Sequence, residues 1–128
     1  MHNSASFTLD IVMAECWTAG IKAGIEAATI VKVFNEAAPG QMMSLKVRLP
    51  VTYLRGDFEP RFSLALPRKD LGLTHELARA TDTPMLLGAL CEKEMVEAMA
   101  RGWADRDASI FLTLQEERTQ VQVRLPHA

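Results

Sequence analysis

Three short constellations in the chain carry residue types that could do chemistry: His2-Asn3, the pair Lys69-Asp70, and Asp105-x-Asp107-x-Ser109. In a cleft, a lysine and an aspartate side by side could meet an anionic cofactor or substrate group with the ammonium and accept a hydroxyl with the carboxylate. In a solvated first helical turn the same pair is a surface charge pair, with the aspartate favoured by the helix macrodipole. Both readings of Lys69-Asp70 stand at this point. Asn3 reads as a loose terminus or a helix N-cap, and His2 has no partner that would make it a metal ligand or a base. Asp105, Asp107 and Ser109 read as helix-capping residues, and Phe58 and Phe62 as core. No GxGxxG, Walker, HExxH, GxSxG or kinase signature is present, so no loop is built to cradle phosphate and no nucleophile elbow is recognisable.

The elements that must position these groups are helices. The chain has 128 residues, 48% hydrophobic and 23% charged, the size and composition of one folded domain with one core. Its net charge of -2 and lack of a basic cluster argue against nucleic acid as a partner. Without a run of eighteen apolar residues or a signal-like start, a soluble, cytoplasmic chain away from membranes is expected. Cys16 and Cys91, far apart and with no metal-binding spacing, read as two small buried apolar residues.

Breaker clusters cut the chain into about six helical pieces, with no convincing strand. The first, Ser4 to Lys22, is apolar nearly all round: Phe7, Ile11, Ala14, Thr18 and Ile21 lie on one face, Leu9, Val12, Cys16 and Ala19 on another. Such a helix needs cover on more than one side, which hints at a further domain or a dimer mate. A second piece, Glu26 to Asn35, buries Ile30, Val31 and Phe34 before a stop at Ala38-Pro39-Gly40. Met42 to Leu54, interrupted by Pro50, reads as a short helix and a turn. Pro67 fits the first turn of a helix that runs past Lys69-Asp70 to Thr81. Thr83 and Pro84 read as N-cap and first residue of the next helix, which turns Leu87, Cys91, Met95 and Ala98 inward, Lys93, Glu97 and Arg101 outward, and stops at Gly102. A last helix, capped by Asp107 or Ser109, buries Ile110, Phe111 and Leu114, leaving a frayed tail from Val121 to Ala128.

The spacing Asp57-Phe58-Glu59-Pro60-x-Phe62-x-x-x-Leu66-x-x-Lys69-Asp70-Leu71-x-Leu73, followed by Gly102-x-x-Asp105-x-Asp107-x-Ser109, resembles the helical C-terminal domain of the β-hydroxyacid dehydrogenases. That family includes 3-hydroxyisobutyrate dehydrogenase and semialdehyde reductases and is related to 6-phosphogluconate dehydrogenase. Ala14-Glu15 and Lys22-Ala23-Gly24-Ile25 extend the resemblance over essentially the whole chain.

The resemblance implies an all-α fold of about six helices over residues 1–128, forming a substrate-binding and dimerisation domain, with the nucleotide-binding Rossmann domain absent. It implies that the catalytic lysine falls two residues before Met1, so the chain holds no catalytic residue and is inactive alone. Asn3, Phe62 and Asp70 would contact a small hydroxyacid or semialdehyde, and Lys69 would approach NAD or NADP. That cofactor belongs to the complete enzyme and is not expected to bind tightly to this chain alone; no metal is expected. Pro67 departs from the family pattern, and a helix that started after it would rotate Lys69 and Asp70. A stand-alone helical protein-interaction module without catalysis is the competing reading. The acid and the choice between NAD and NADP would be set by the missing half.

Overall fold

The computed structural model describes residues 1–37 and 42–126. Five α-helices follow in order: α1 (His2–Lys22), α2 (Ala27–Glu36), α3 (Ala65–Ala80), α4 (Leu86–Ala100) and α5 (Thr113–Thr119). A run of short π and 3-10 turns, Ser44 to Arg55, joins α2 to the loop before α3, and a 3-10 turn at Ala108–Leu112 leads into α5. Counting the run of turns at Ser44–Arg55 as one piece and the Ala108–Leu112 turn with α5, these are the six pieces the breaker residues mark out. Among the described residues no strand forms; Ser63 and Asp107 make one isolated bridge.

α1 is the central element and packs against the other four helices. Its apolar period places Phe7, Met13, Ala14 and Trp17 in the core. The fully buried Trp17 ring stacks on Tyr53 at 6.1 Å and meets Phe34 edge-on at 5.9 Å, arrangements that add to simple burial. The predicted second face of α1 stays uncovered: Leu9, Val12, Cys16 and Ala19 are exposed. Cys91 is buried as expected, whereas Cys16 is exposed, because only one side of α1 meets the rest of this chain.

α1, α3 and α4 end in the same way, with a left-handed residue whose own amide and the next one return to the helix. After α1 this is Gly24, with Ile25 N donating to Gly20 O at 3.1 Å; after α4 it is Gly102, with Trp103 N donating to Ala98 O at 3.3 Å. After α3 the position is filled by Asp82, and Thr83 N donates to Ala78 O at 2.9 Å. Thr83 is therefore part of the stop of α3 and not the cap of α4, which begins at Leu86 after Met85 with no side-chain cap. Leu87 is exposed, Gly88 being the covered residue of that first turn, while Cys91, Met95 and Ala98 point inward as expected. Gly88 sits where α3 and α4 pass closely; a Cβ there would lie 3.0 Å from His75 Nε2.

Asp107 caps the 3-10 turn, accepting from Ser109 N at 3.0 Å and Ser109 Oγ at 2.7 Å. The tail is not frayed over its described part. Glu116 accepts from Val123 N at 2.8 Å and from both terminal nitrogens of Arg124 at 2.6 and 3.0 Å, and Leu125 N donates to Leu54 O. Val123 is fully buried, and Arg124 lies over the Tyr53 and Phe58 rings. The predicted stop at Ala38-Pro39-Gly40 and the last two tail residues lie outside the described residues.

Candidate functional site

The start of α1, the π turn at Ser44–Arg48 and the loop at Phe62 enclose a cleft of about 280 Å3. His2, Asn3, Ser6 and Phe7 line it from α1, Met43, Ser44, Val47 and Arg48 from the turn, and Phe62 from the loop. A neighbouring hollow shares His2 and Asn3 and continues over Asp70, Leu73, Thr74 and Leu77 of α3. Asn3 thus stands where the two meet.

Asn3 Nδ2 donates to Asp70 Oδ2 at 2.8 Å, joining residues 67 apart in sequence. The next residue of α1, Ser4, donates through Oγ at 3.0 Å to Oγ1 of Thr74, one turn further along α3, and Thr74 Oγ1 donates to Asp70 O. These bonds fix the register of α1 against α3, so the Asn3 amide has one orientation. Its second amide hydrogen and its carbonyl oxygen remain for another group. α3 begins at Ala65, upstream of Pro67, so the proline sits inside the first turn, where its missing N–H costs nothing, and does not delay the helix. Lys69 is exposed beside Asp70 and lines neither hollow.

Phe62 is half-buried, its ring stacked on Phe7 at 6.3 Å and 13°. Its main chain is pinned from the other side: Phe62 N–H points to Asp107 Oδ2 at 3.4 Å, and Ala108 N donates to Phe62 O at 2.8 Å. The Asp107-Ser109 motif therefore holds the loop that carries Phe62, besides capping. The structure brings Asn3, Asp70 and Phe62 to one place and leaves Lys69 on the adjoining surface.

Sequence reasoning missed Arg48. Its guanidinium pairs with the fully buried Asp10 through Nη2 and Oδ2 and lies 4.5 Å from the Phe7 ring centroid. Burial pushes the Asp10 carboxyl above its usual range, and Arg48 and the nearby Ser44 hydroxyl pull it back down. The available signal was slight: Arg48 stands between Val47 and Leu49, three residues after Leu45, in a stretch that also holds Lys46. Among the described residues no three His, Cys, Asp or Glu side chains gather as a metal would require, and no helix is long and apolar enough to cross a membrane.

Residues 1–114 match the family described as NAD-binding of NADP-dependent 3-hydroxyisobutyrate dehydrogenase. Human mitochondrial 3-hydroxyisobutyrate dehydrogenase is 30% identical over 113 residues, which cover 83% of this chain and 33% of that protein. The 3-sulfolactaldehyde reductase of Escherichia coli is 30% identical over 112 residues, 88% of this chain and 37% of that one. A crystal structure of 3-hydroxyisobutyrate dehydrogenase from Salmonella typhimurium superposes with a TM-score of 0.75 at 25% identity, covering 88% of this chain and 39% of that one. The chain therefore spans about a third of the length of the curated relatives it matches. With the matched stretch reaching from Met1 to Leu114 and the helices superposing, this chain belongs to the 3-hydroxyisobutyrate dehydrogenase family, in the wider group of β-hydroxyacid dehydrogenases.

Proposed function

We propose that this chain is the helical domain of an NAD(P)-dependent dehydrogenase for small hydroxyacids, forming one wall of the substrate pocket. The observation that carries this reading is the Asn3–Asp70 bond at the head of a cleft that Phe62 flanks. Held by Asp70, the Asn3 amide is preorganised to take the substrate hydroxyl or the carbonyl it becomes, and little reorganisation accompanies binding. Phe62, backed by Phe7, offers an apolar surface to the carbon skeleton and keeps water off it. Lys69, an exposed cation that makes no ion pair among the described residues, suits the anionic cofactor's approach from a second domain. When bound, that cofactor accepts or donates the hydride. In this reading the proton-transferring lysine and the nucleotide-binding fold lie outside these 128 residues, so the chain alone turns over no substrate. A second copy and the nucleotide-binding domain cover the leucines that α1, α3 and α4 expose.

The test is a titration of the isotope-labelled chain with 3-hydroxyisobutyrate, following the Asn3 side-chain amide and the Phe62 ring by NMR. Saturable shifts at millimolar acid, lost in Asn3→Ala and weakened in Asp70→Asn, are expected. Unmoved Asn3 and Phe62 signals, or dehydrogenase turnover by the chain alone, would sink the reading.

A further inference from the structure

The wall that the Ser44–Arg48 turn gives to the cleft is a single π turn. Such turns are rare and do not propagate, so side chains must hold this one in place. On its inner side Leu45 and the following Leu49 are fully buried and anchor it. Its cleft edge, with Ser44, Val47 and Arg48, is tied to α1 by Asp10. The Asp10 side chain is 0% exposed, Arg48 pairs with it, and the Ser44 hydroxyl acts on the same carboxyl. The guanidinium is thereby laid 4.5 Å from the Phe7 ring centroid, and Phe7 in turn backs Phe62. One buried carboxylate thus joins the turn to the aromatic side of the cleft.

A tie of this kind can open. Burial works against the ionised form of Asp10 and pushes its carboxyl above the usual range, while Arg48 and Ser44 act the other way. Arg48 is the charge that acts on it. From α4 the Cys91 thiol senses Asp10 but is kept protonated by its own burial, and Glu92 and Glu94 of that helix are engaged by Arg68 and Arg118. None of these replaces Asp10 as a partner for Arg48. Once Asp10 is neutral, the Arg48 side chain, already 19% exposed, turns outward to water. Leu45 and Leu49 keep their cover, so the edge of the turn moves and the domain stays folded. The linkage has the same sense: the folded chain holds this proton more tightly than the unfolded one, so the group adds stability at low pH and gives it up as pH rises. Acid opens the contact without unfolding the chain through it.

We infer that Asp10 is a positioning residue of the cleft: through Arg48 and Ser44 it sets the edge of the turn that shares the cleft with Phe62, and it releases that edge on taking up a proton. The inference rests on the proposed function for what the cleft holds, and it makes the shape of that pocket depend on a residue that touches no ligand.

Two measurements on the full labelled chain separate it from the pocket reading. In the first, without ligand, pH is lowered from neutral while the Asp10 carboxyl carbon, the Arg48 Nε–H and the Val47 methyls are followed by NMR. Arg48 and Val47 are expected to shift with the midpoint of the Asp10 carboxyl, Arg48 losing the upfield displacement that the Phe7 face imposes, while the Trp17 signals of the core stay in place. The double variant Asp10→Asn/Arg48→Gln removes both charges together and leaves the net charge beside the cleft unchanged; its Val47 methyls should show no such step. In the second, wild type and this variant are titrated with 3-hydroxyisobutyrate at neutral pH, and the variant should bind severalfold more weakly with the Asn3 amide still responding. Should the double variant not fold, Ser44→Ala takes its place and should move the common midpoint upward, because Ser44 favours the ionised carboxyl. An Asp10 step that leaves Arg48 and Val47 unmoved, a midpoint unchanged in Ser44→Ala, or equal acid affinity in wild type and double variant overturns the positioning role and leaves the pocket reading standing. A coupled step in a wild type whose Asn3 ignores the acid sinks the pocket reading, and the role of Asp10 in it.

Discussion

The two cysteines show how far one side chain's surroundings set its chemistry. Cys91 is inside α4, 1% exposed, and burial pushes its thiol up from 9.0 to about 11. Thiolate is the reactive form, so iodoacetamide at mildly alkaline pH should modify Cys16 and spare Cys91, giving one adduct by mass spectrometry; labelling of both in the folded chain would contradict the packing. The same shift has a consequence for stability. The folded state holds the Cys91 proton where the unfolded chain has released it, so this contribution is complete below pH 9.0 and disappears as pH rises to about 11. At 1.36 kcal/mol per unit the loss is on the order of 3 kcal/mol. The buried Tyr53 phenol, also shifted upward, acts in the same sense at still higher pH. Urea unfolding of wild type and Cys91→Ala across this range should show the alkaline decline flattened in the variant; identical slopes would refute the assignment. At this scale the sequence was only half legible. Cys16 and Cys91 both lie in apolar helical patterns, and nothing in a pattern that is apolar all round says which side is covered.

Among the elements, the helix ends carry the clearest energetic signal. Gly24 and Gly102 occupy left-handed positions at no steric cost, but Asp82 and Gln120 adopt φ of 50° and 57° with side chains attached. The left-handed conformation costs a side-chain-bearing residue roughly 1–2 kcal/mol, and aspartate tolerates it better than glutamine. Gln120→Gly should therefore stabilise the chain by about 0.5–1 kcal/mol after the added freedom of the unfolded glycine is allowed for. Thermal unfolding decides this, and a lowered midpoint would mean that Gln120 makes up its strain through contacts of its own. Asp82 also explains where sequence reading slipped. Thr83-Pro84 has the residue types of a helix start, yet a left-handed Asp82 commits the Thr83 amide to Ala78 O. The six helical pieces were legible because Gly, Pro and periodicity are local. The tail was not, because its anchor, Glu116 with Val123 and Arg124, is a polar contact inside a stretch with no period. Asn3–Asp70 and Asp10–Arg48 span 67 and 38 residues. The first was foreseen as a shared pocket only through the family motif; the second had no motif to announce it.

For the whole molecule, the question is what covers the apolar surface that the fold leaves outside. Leu9 and Val12 on α1, Leu73 and Leu77 on α3, and Leu86, Leu87 and Leu90 on α4 are exposed by fractions from 42% at Val12 to 79% at Leu86. Single exposed leucines are ordinary, but three helices each showing several at helical spacing are what an assembly surface looks like. The α1 stripe Leu9-Val12-Cys16 runs along the most central helix of the domain, and a second copy packed on it in two-fold fashion would bury the same stripe from both chains. Light scattering at tens of micromolar should then give about twice the 14.2 kDa of one chain. Val12→Glu should return it to one chain with little change in the unfolding midpoint at dilution, because Val12 is already 42% exposed on the outer side of α1. Cys16 supplies an independent reading on the same surface: its alkylation, fast in dilute solution, should slow as protein concentration rises and should no longer do so in Val12→Glu. A single-chain mass at every concentration, with a constant Cys16 rate, would leave the stripe to the nucleotide-binding domain alone, and adding that domain in trans should then be what protects the thiol.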